Sequence, residues 1–234
     1  MNAIGFLLSP GFQLLDFAGP ASAFEAANDQ LENPAYRLSV LAADEGTVTN
    51  SLGIATAAAS LNNAALDTLV VVGGRIDPPL SAGTLSRIVE PSSRCRRVAS
   101  VCTGAFVLAA AGLLDGRRAT THWRYAPRLQ REYPSIRVEA DRIFCRDGNV
   151  WTSAGITAGI DLALALIEED HGFESPKAWP STSSSIIVAT AGNRNSQLPL
   201  IWHQRMIELP LLLAMPATTS PKCSPSNAWR NRPA

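Results

Sequence analysis

The stretch RVASVCTGAFVLAAAGLL, residues 97–114, constrains this chain more than any other. Val98, Ala99 and Val101 lean toward a buried strand, Cys102-Thr103-Gly104 breaks it, and an Ala/Leu-rich run suited to a helix follows. A strand that turns sharply into a helix lifts the residue at the bend out of the sheet and aims its side chain at open space. Serine takes that position in G-x-S-x-G turns; here the bend residue is a cysteine. The following helix is expected to direct its N-terminal N–H groups at the sulfur and lower the thiol pKa. Taken alone, the stretch equally allows Cys102 to be a small buried hydrophobe, as most free cysteines are.

The flanking sequence alternates strand and helix patterns. Apolar runs at 3–8, 36–42 and 67–72 predict strands, and 118–122 and 150–152 predict shorter ones. Helices are expected over 16–28, with an interruption at Gly19-Pro20, and over 81–91, 123–132 and 156–171. Residues 44–53 read as turns leading into a small-residue segment, and 136–139 with 142–145 as a hairpin around Ala140-Asp141. This order predicts an α/β fold: a doubly wound, mostly parallel sheet with helices on both faces.

Composition narrows the function classes. The chain has 234 residues, 46% hydrophobic, and a formal net charge of zero, which gives no overall basic footprint for nucleic acid. Its four cysteines, 95, 102, 145 and 223, show no C-x-x-C spacing, so neither a zinc ribbon nor a thioredoxin motif is supported. No metal-ligand spacing is present and no cofactor is expected. The N-terminus lacks a basic n-region and no apolar run reaches the length of a membrane span, so a cytoplasmic protein is expected. Arg96-Arg97, Arg117-Arg118 and the arginines between 124 and 131 read as solvated charges, and Cys95 and Cys145 as structural.

In doubly wound sheets the carboxyl ends of the strands form the functional edge. The loop after the first strand, Gly73-Gly74 and Cys102 should meet there. Asp16, in LLDFAGP, is either a helix-start residue or a proton carrier beside the thiol. Gly73-Gly74 either lets a backbone N–H approach a ligand closely or makes an ordinary turn. His122, at the end of RATTH, is either structural or faces the same edge.

LLSPGFQLLDFAGP, VVVGG, SVCTGAFVLAAAGLLDGRRATTHW and RDGNVWTSAGITAGIDLALALIEEDHG together resemble the ThiJ/PfpI superfamily, related in fold to class I glutamine amidotransferases. The similarity covers roughly residues 3–172 and implies a flavodoxin-like sheet. It implies that Cys102 is the elbow cysteine and that Asp16 is the acid approaching its sulfur. Gly74 and Thr103 would supply oxyanion-type N–H donors beside Gly73, and His122 would line the site. Protease-like members carry His directly after the cysteine; Thr103 stands here, which argues against a Cys–His peptidase. Cys-Thr-Gly is instead similar to isonitrile hydratases and to the sensor domains of AraC-type (GlxA-like) transcriptional regulators. The first implies an enzyme that hydrates isonitriles to N-substituted formamides. The second implies a domain that binds a small-molecule effector, with DNA bound by a separate helix-turn-helix domain. A cysteine-based deglycase fits the thiol but has less support from Cys-Thr-Gly. Relatives that pair through helices beside the site imply a homodimer.

The chain divides at about residue 174. Residues 1–174 carry 14 Arg and 19 Asp/Glu, whereas 175–234 carry six Lys/Arg, one acid (Glu208) and eight of the 16 prolines. The latter stretch is expected to be irregular, in place of a helix-turn-helix domain. Its codons can be regrouped by one base, within synonymous choices. Residues 177–189, 192–197, 206–209 and 224–233 then encode, in order, strings resembling the linker and first DNA-binding helix of AraC-type regulators. A one-base insertion or deletion near codons 172–177 is therefore expected, leaving Cys223 without a role. The nucleotide sequence tests this directly.

Overall fold

The computed structural model describes residues 1–172; the expectations for 175–234 lie outside the described residues. The elements run β1 (Asn2–Leu7), α1 (Leu14–Gln30), β2 (Tyr36–Ala42), β3 (Gly46–Thr49), β4 (Ala55–Ser60), β5 (Thr68–Val71) and α2 (Ala82–Arg94). Then come β6 (Arg97–Val101), α3 (Gly104–Ala110), β7 (Arg118–Ala119), α4 (Ala126–Glu132), β8 (Arg137–Val138), β9 (Phe144–Asp147), β10 (Val150–Ser153) and α5 (Thr157–His171). Eight strands form one sheet in the order β3-β4-β2-β1-β5-β6-β10-β9. The six inner strands are parallel, and both edge strands, β3 and β9, run antiparallel to their neighbours. The expected mostly parallel α/β sheet is thus observed. Its apolar strands β1, β5 and β6 are buried on both faces, as central parallel strands are.

Two apolar layers sandwich the sheet. Phe24 and Ala27 of α1 and Ile160, Ala163 and Ile167 of α5 pack on one face with Phe6, Val70 and Trp151. Ile88 of α2, Leu108 of α3 and Leu129 of α4 pack on the other with Leu69, Val71 and Val98. α1 runs unbroken through Gly19-Pro20, contrary to the expected interruption. A Cβ at Gly19 would lie 2.9 Å from Ile160, and Pro20 closes against Gly159. The pair lets α5 approach closely, and that packing outweighs the backbone hydrogen bond Pro20 removes.

Three local expectations change. The segment before residue 60 holds the strands β3 and β4, because Asn50 Oδ1 accepts from Leu52 and Ile54 N–H and builds the turn between them. No hairpin joins residues 136–139 to 142–145: β8 pairs with β7 in a separate two-stranded sheet, and β9 pairs with β10. Arg97 is not solvated. It is 2% exposed at the start of β6, where its guanidinium meets Asp170 at 2.8 Å, Glu169 at 3.0 Å and Thr68 Oγ1 at 3.1 Å. Arg96, the Tyr36 hydroxyl and the Asn2 amide also donate to Asp170, so the last turn of α5 is fastened to the starts of β6, β2 and β1.

Candidate functional site

The parallel strands β1, β5, β6 and β10 deliver their carboxyl ends to one edge. There β6 ends at Cys102, whose φ of +57° lies in the left-handed region that side-chain-bearing residues rarely occupy. Such strain is characteristic of a residue held by its surroundings for function. Cys102 N–H donates to Ser153 O at 3.0 Å, and Cys102 O accepts from Thr121 Oγ1 at 2.8 Å, so both backbone polar groups are locked. Gly104 makes the sharp start of α3 possible, because any Cβ there would collide with the Val71 carbonyl.

Asp16 sits in the first turn of α1 and is fully buried. Its Oδ1 accepts from Ile156 N–H at 2.6 Å. Its Oδ2 is buried without a conventional hydrogen-bond partner and faces the Cys102 thiol closely enough that each group biases the other's titration. Gly73 is the floor between them: a Cβ there would lie 2.6 Å from Asp16 Oδ2 and 2.7 Å from Cys102 Cβ. The fold therefore brings sulfur, carboxylate and glycine to one point.

Electrostatics revise the expected activated thiol. Burial first, then the charge of Asp16 and its hydrogen bond, push the Cys102 thiol up to about 12. The Thr103 backbone N–H opposes this by favouring the thiolate, but it does not overcome it. Burial likewise raises the Asp16 pKa, against the lowering effects of Ile156 N–H, Cys102 and His122. Burial thus favours the neutral form of both groups, and the sulfur rests as a thiol.

Thr103 also closes the neighbouring donor. Gly74 N–H donates to Thr103 Oγ1 at 2.8 Å, and that hydroxyl donates back to Gly74 O at 2.8 Å. The Gly74 N–H, for which the resemblance implied an oxyanion-type role, is thus engaged by Thr103. His122 is half-buried; its Nδ1 accepts from Arg124 N–H at 3.3 Å, and its ring stacks on the exposed Trp123. It precedes a 3-10 turn (Trp123–Tyr125) instead of ending a strand, since β7 stops at Ala119.

A model of the DJ-1/PfpI family matches residues 2–169. The chain belongs to the DJ-1/PfpI family. It is 40% identical over 176 residues to an isonitrile hydratase from Pseudomonas putida, covering 74% of this chain and 73% of that protein. It is 36% identical over 179 residues to the HTH-type transcriptional regulator GlxA of Rhizobium meliloti, covering 74% of this chain and 54% of the regulator. The chain thus spans about half the length of the curated regulators GlxA and GbdR. In fold it is similar to an AraC family transcriptional regulator structure from Pseudomonas putida, with a TM-score of 0.65 and 22% identity. That likeness covers 81% of this chain and all of the other.

Two residues of this DJ-1/PfpI site escape a sequence reading. Gly155, at φ +97°, has no room for a side chain: a Cβ would lie 2.7 Å from Cys102 Sγ. Ile156, at φ +53°, is a β-branched residue in the left-handed region, and its N–H holds Asp16. The signal is the Gly-Ile pair opening α5 without a side-chain cap. Among the described residues, no three His, Cys, Asp or Glu side chains gather as metal ligands, and no helix is long and apolar enough to cross a membrane.

Proposed function

We propose that this DJ-1/PfpI domain senses a small molecule for an AraC-type transcriptional regulator, with DNA read by a separate helix-turn-helix domain. The observation that supports this reading is the closed dyad: a buried thiol beside a buried carboxyl, with the adjacent Gly74 N–H already taken by Thr103. In such a site the nucleophile rests in its unreactive form. The similarity to GlxA and GbdR supports the same assignment. The domain acts as a cytoplasmic homodimer in this reading, and the three cysteines among the described residues, 95, 102 and 145, are buried and free, which suits a reducing compartment.

A hydratase reading is favoured by one specific observation, the 40% identity to an isonitrile hydratase across most of that protein. In it, Asp16 takes the Cys102 proton as the sulfur attacks the terminal isonitrile carbon. Asp16 then returns the proton to that carbon, leaving a thioimidate on Cys102. Water adds to the same carbon as Asp16 takes one of its protons and passes it to the imidate nitrogen; the remaining hydroxyl proton then moves through Asp16 to the sulfur as the C–S bond breaks, so an N-substituted formamide leaves and the thiol is restored.

One experiment separates the two readings. The protein is incubated with cyclohexyl isocyanide and assayed for the formamide, alongside Cys102→Ala and Asp16→Asn variants. The sensor reading expects no turnover above the variants; turnover abolished by both substitutions reverses the ranking. The nucleotide sequence downstream of codon 172 tests the regulator assignment from the other side, since it must hold a reading frame for a helix-turn-helix domain.

A further inference from the structure

Cys102 is held in its left-handed conformation at two backbone atoms, and the two ties differ in kind. Its N–H donates to Ser153 O at 3.0 Å, a main-chain contact between β6 and β10 that no side chain controls. Its carbonyl depends on a side chain. Thr121 Oγ1 donates to Cys102 O at 2.8 Å, whereas the other donor to that oxygen among the described residues, Ala105 N–H, stands at 3.5 Å. A separation of 3.5 Å is the outer limit of a hydrogen bond, so the hydroxyl is the effective partner.

Thr121 is itself immobilised. It is fully buried, in a segment tied on each side. Ala119 O accepts from Glu139 N–H at 2.8 Å, Thr120 N–H donates to Thr152 Oγ1 at 2.8 Å, and His122 O accepts from Tyr125 N–H at 2.8 Å. Branching at Cβ restricts the Thr121 rotamer, so the direction of the hydroxyl is set once the backbone is fixed.

The sulfur has little freedom of its own. A Cβ at Gly73 would lie 2.7 Å from Cys102 Cβ, and one at Gly155 would lie 2.7 Å from Sγ, so backbone closes on the side chain from two sides. Turning Cys102 out of the left-handed region would carry Cβ and sulfur away from Asp16 Oδ2. A buried carbonyl deprived of its donor gains by such a turn, because it can then seek another partner.

We propose that Thr121 is a positioning residue: its hydroxyl holds the Cys102 carbonyl, and through it the left-handed bend that sets the sulfur beside Asp16. The proposal rests on the Cys102–Asp16 edge being the site, and it holds for either reading of what that site does.

The Asp16→Asn substitution speeds alkylation of Cys102 only where the carboxylate stands against the sulfur, so its effect measures their alignment. Reaction with iodoacetamide near pH 8 is followed at Cys102 by peptide mass spectrometry on the full chain, with and without Asp16→Asn, in four backgrounds. The effect of Asp16→Asn should be about tenfold in the wild-type background, less than about threefold in Thr121→Val, and about tenfold again in Thr121→Ser, which restores the donor. Thr121→Ala lacks the same donor and serves if Thr121→Val does not fold. Thr68→Val removes an equally buried hydroxyl, the acceptor for Arg97 Nε at the start of β5, and should keep the tenfold effect whatever stability it loses. A tenfold effect retained without the Thr121 hydroxyl, or lost in Thr121→Ser or Thr68→Val, overturns the positioning role and leaves the site standing. No effect of Asp16→Asn in the wild-type background, or a Cys102 that iodoacetamide never reaches, overturns the site and the proposal together.

Discussion

Ile156 donates its backbone N–H to Asp16 Oδ1 at 2.6 Å, and it does so from a φ of +53° that an isoleucine rarely adopts. The hydrogen bond and the strain belong together. Because one Asp16 oxygen is occupied by Ile156, only the other faces the sulfur, and the position of the acid beside Cys102 is set by the first residues of α5.

Asp16→Asn preserves an oxygen for Ile156 while removing the negative charge beside Cys102. The thiol pKa should fall from about 12 toward the ordinary range, while remaining elevated by burial, its largest cause. Near pH 8, alkylation of Cys102 by iodoacetamide should accelerate about tenfold in this variant. A pH–rate profile of both proteins measures the shift, and an unchanged profile would mean that the two groups are not coupled.

Gly155→Ala and Gly53→Ala compare two glycines of similar positive φ, +97° and +86°. A methyl at 53 meets nothing within 4 Å, so only backbone strain is added, about 1 kcal/mol. A methyl at 155 runs into Cys102, and the loss should reach about 3 kcal/mol, with the Cys102 environment disturbed. Urea unfolding of the two variants gives the difference.

Asp161, 5% exposed on α5, has an Oδ1 with no hydrogen-bond partner, and burial raises its pKa to about 6. The folded chain therefore holds a proton there that the unfolded chain releases near 4. Stability falls as pH rises through that interval, and the penalty is complete above about 6, at about 3 kcal/mol. Asp161→Asn should be more stable than the parent near pH 7.5 and lose that advantage near pH 4. Denaturant midpoints at the two pH values check the sign.

Asp170→Asn removes a charge from a carboxylate that accepts from Arg96, Arg97 and Tyr36. Arg97 remains buried with Glu169 as its acid partner. A loss of about 3 kcal/mol is expected. Tyr36→Phe, which removes a single hydroxyl from the same cluster, should cost about 1 kcal/mol. Equal losses would show that the ionic part contributes nothing beyond the hydroxyl.

The sheet was legible because its central strands are continuous apolar runs between turns, and β2 lies where the YRLSVLA run predicts it. β3 and β4 were hidden by their own composition, since GTVT and ATAAAS lack the large apolar residues that signal a buried strand. Cys102 stood out because a strand–cysteine–helix bend is visible locally, whereas the place of Asp16 beside it was implied by the family resemblance and not by its own surroundings in the sequence. Their electrostatics were not legible. A helix N-terminus favours a thiolate, but burial and a facing carboxyl act across contacts more than 80 residues apart in sequence, and these dominate. Arg97 misled for the same reason: its partners Glu169 and Asp170 arrive from the far end of the domain.

α5 is held at both extremities by carboxylate contacts of opposite kinds, one in the site and one among the arginines. Its 15 residues make a stiff rod about 22 Å long. Tilting such a rod by about 5° at Ile156 would displace its far tip by about 2 Å, more than a hydrogen bond tolerates. The grip of Arg96, Arg97 and Tyr36 on Asp170 is then a gauge of how Asp16 sits, read at the opposite extremity of α5.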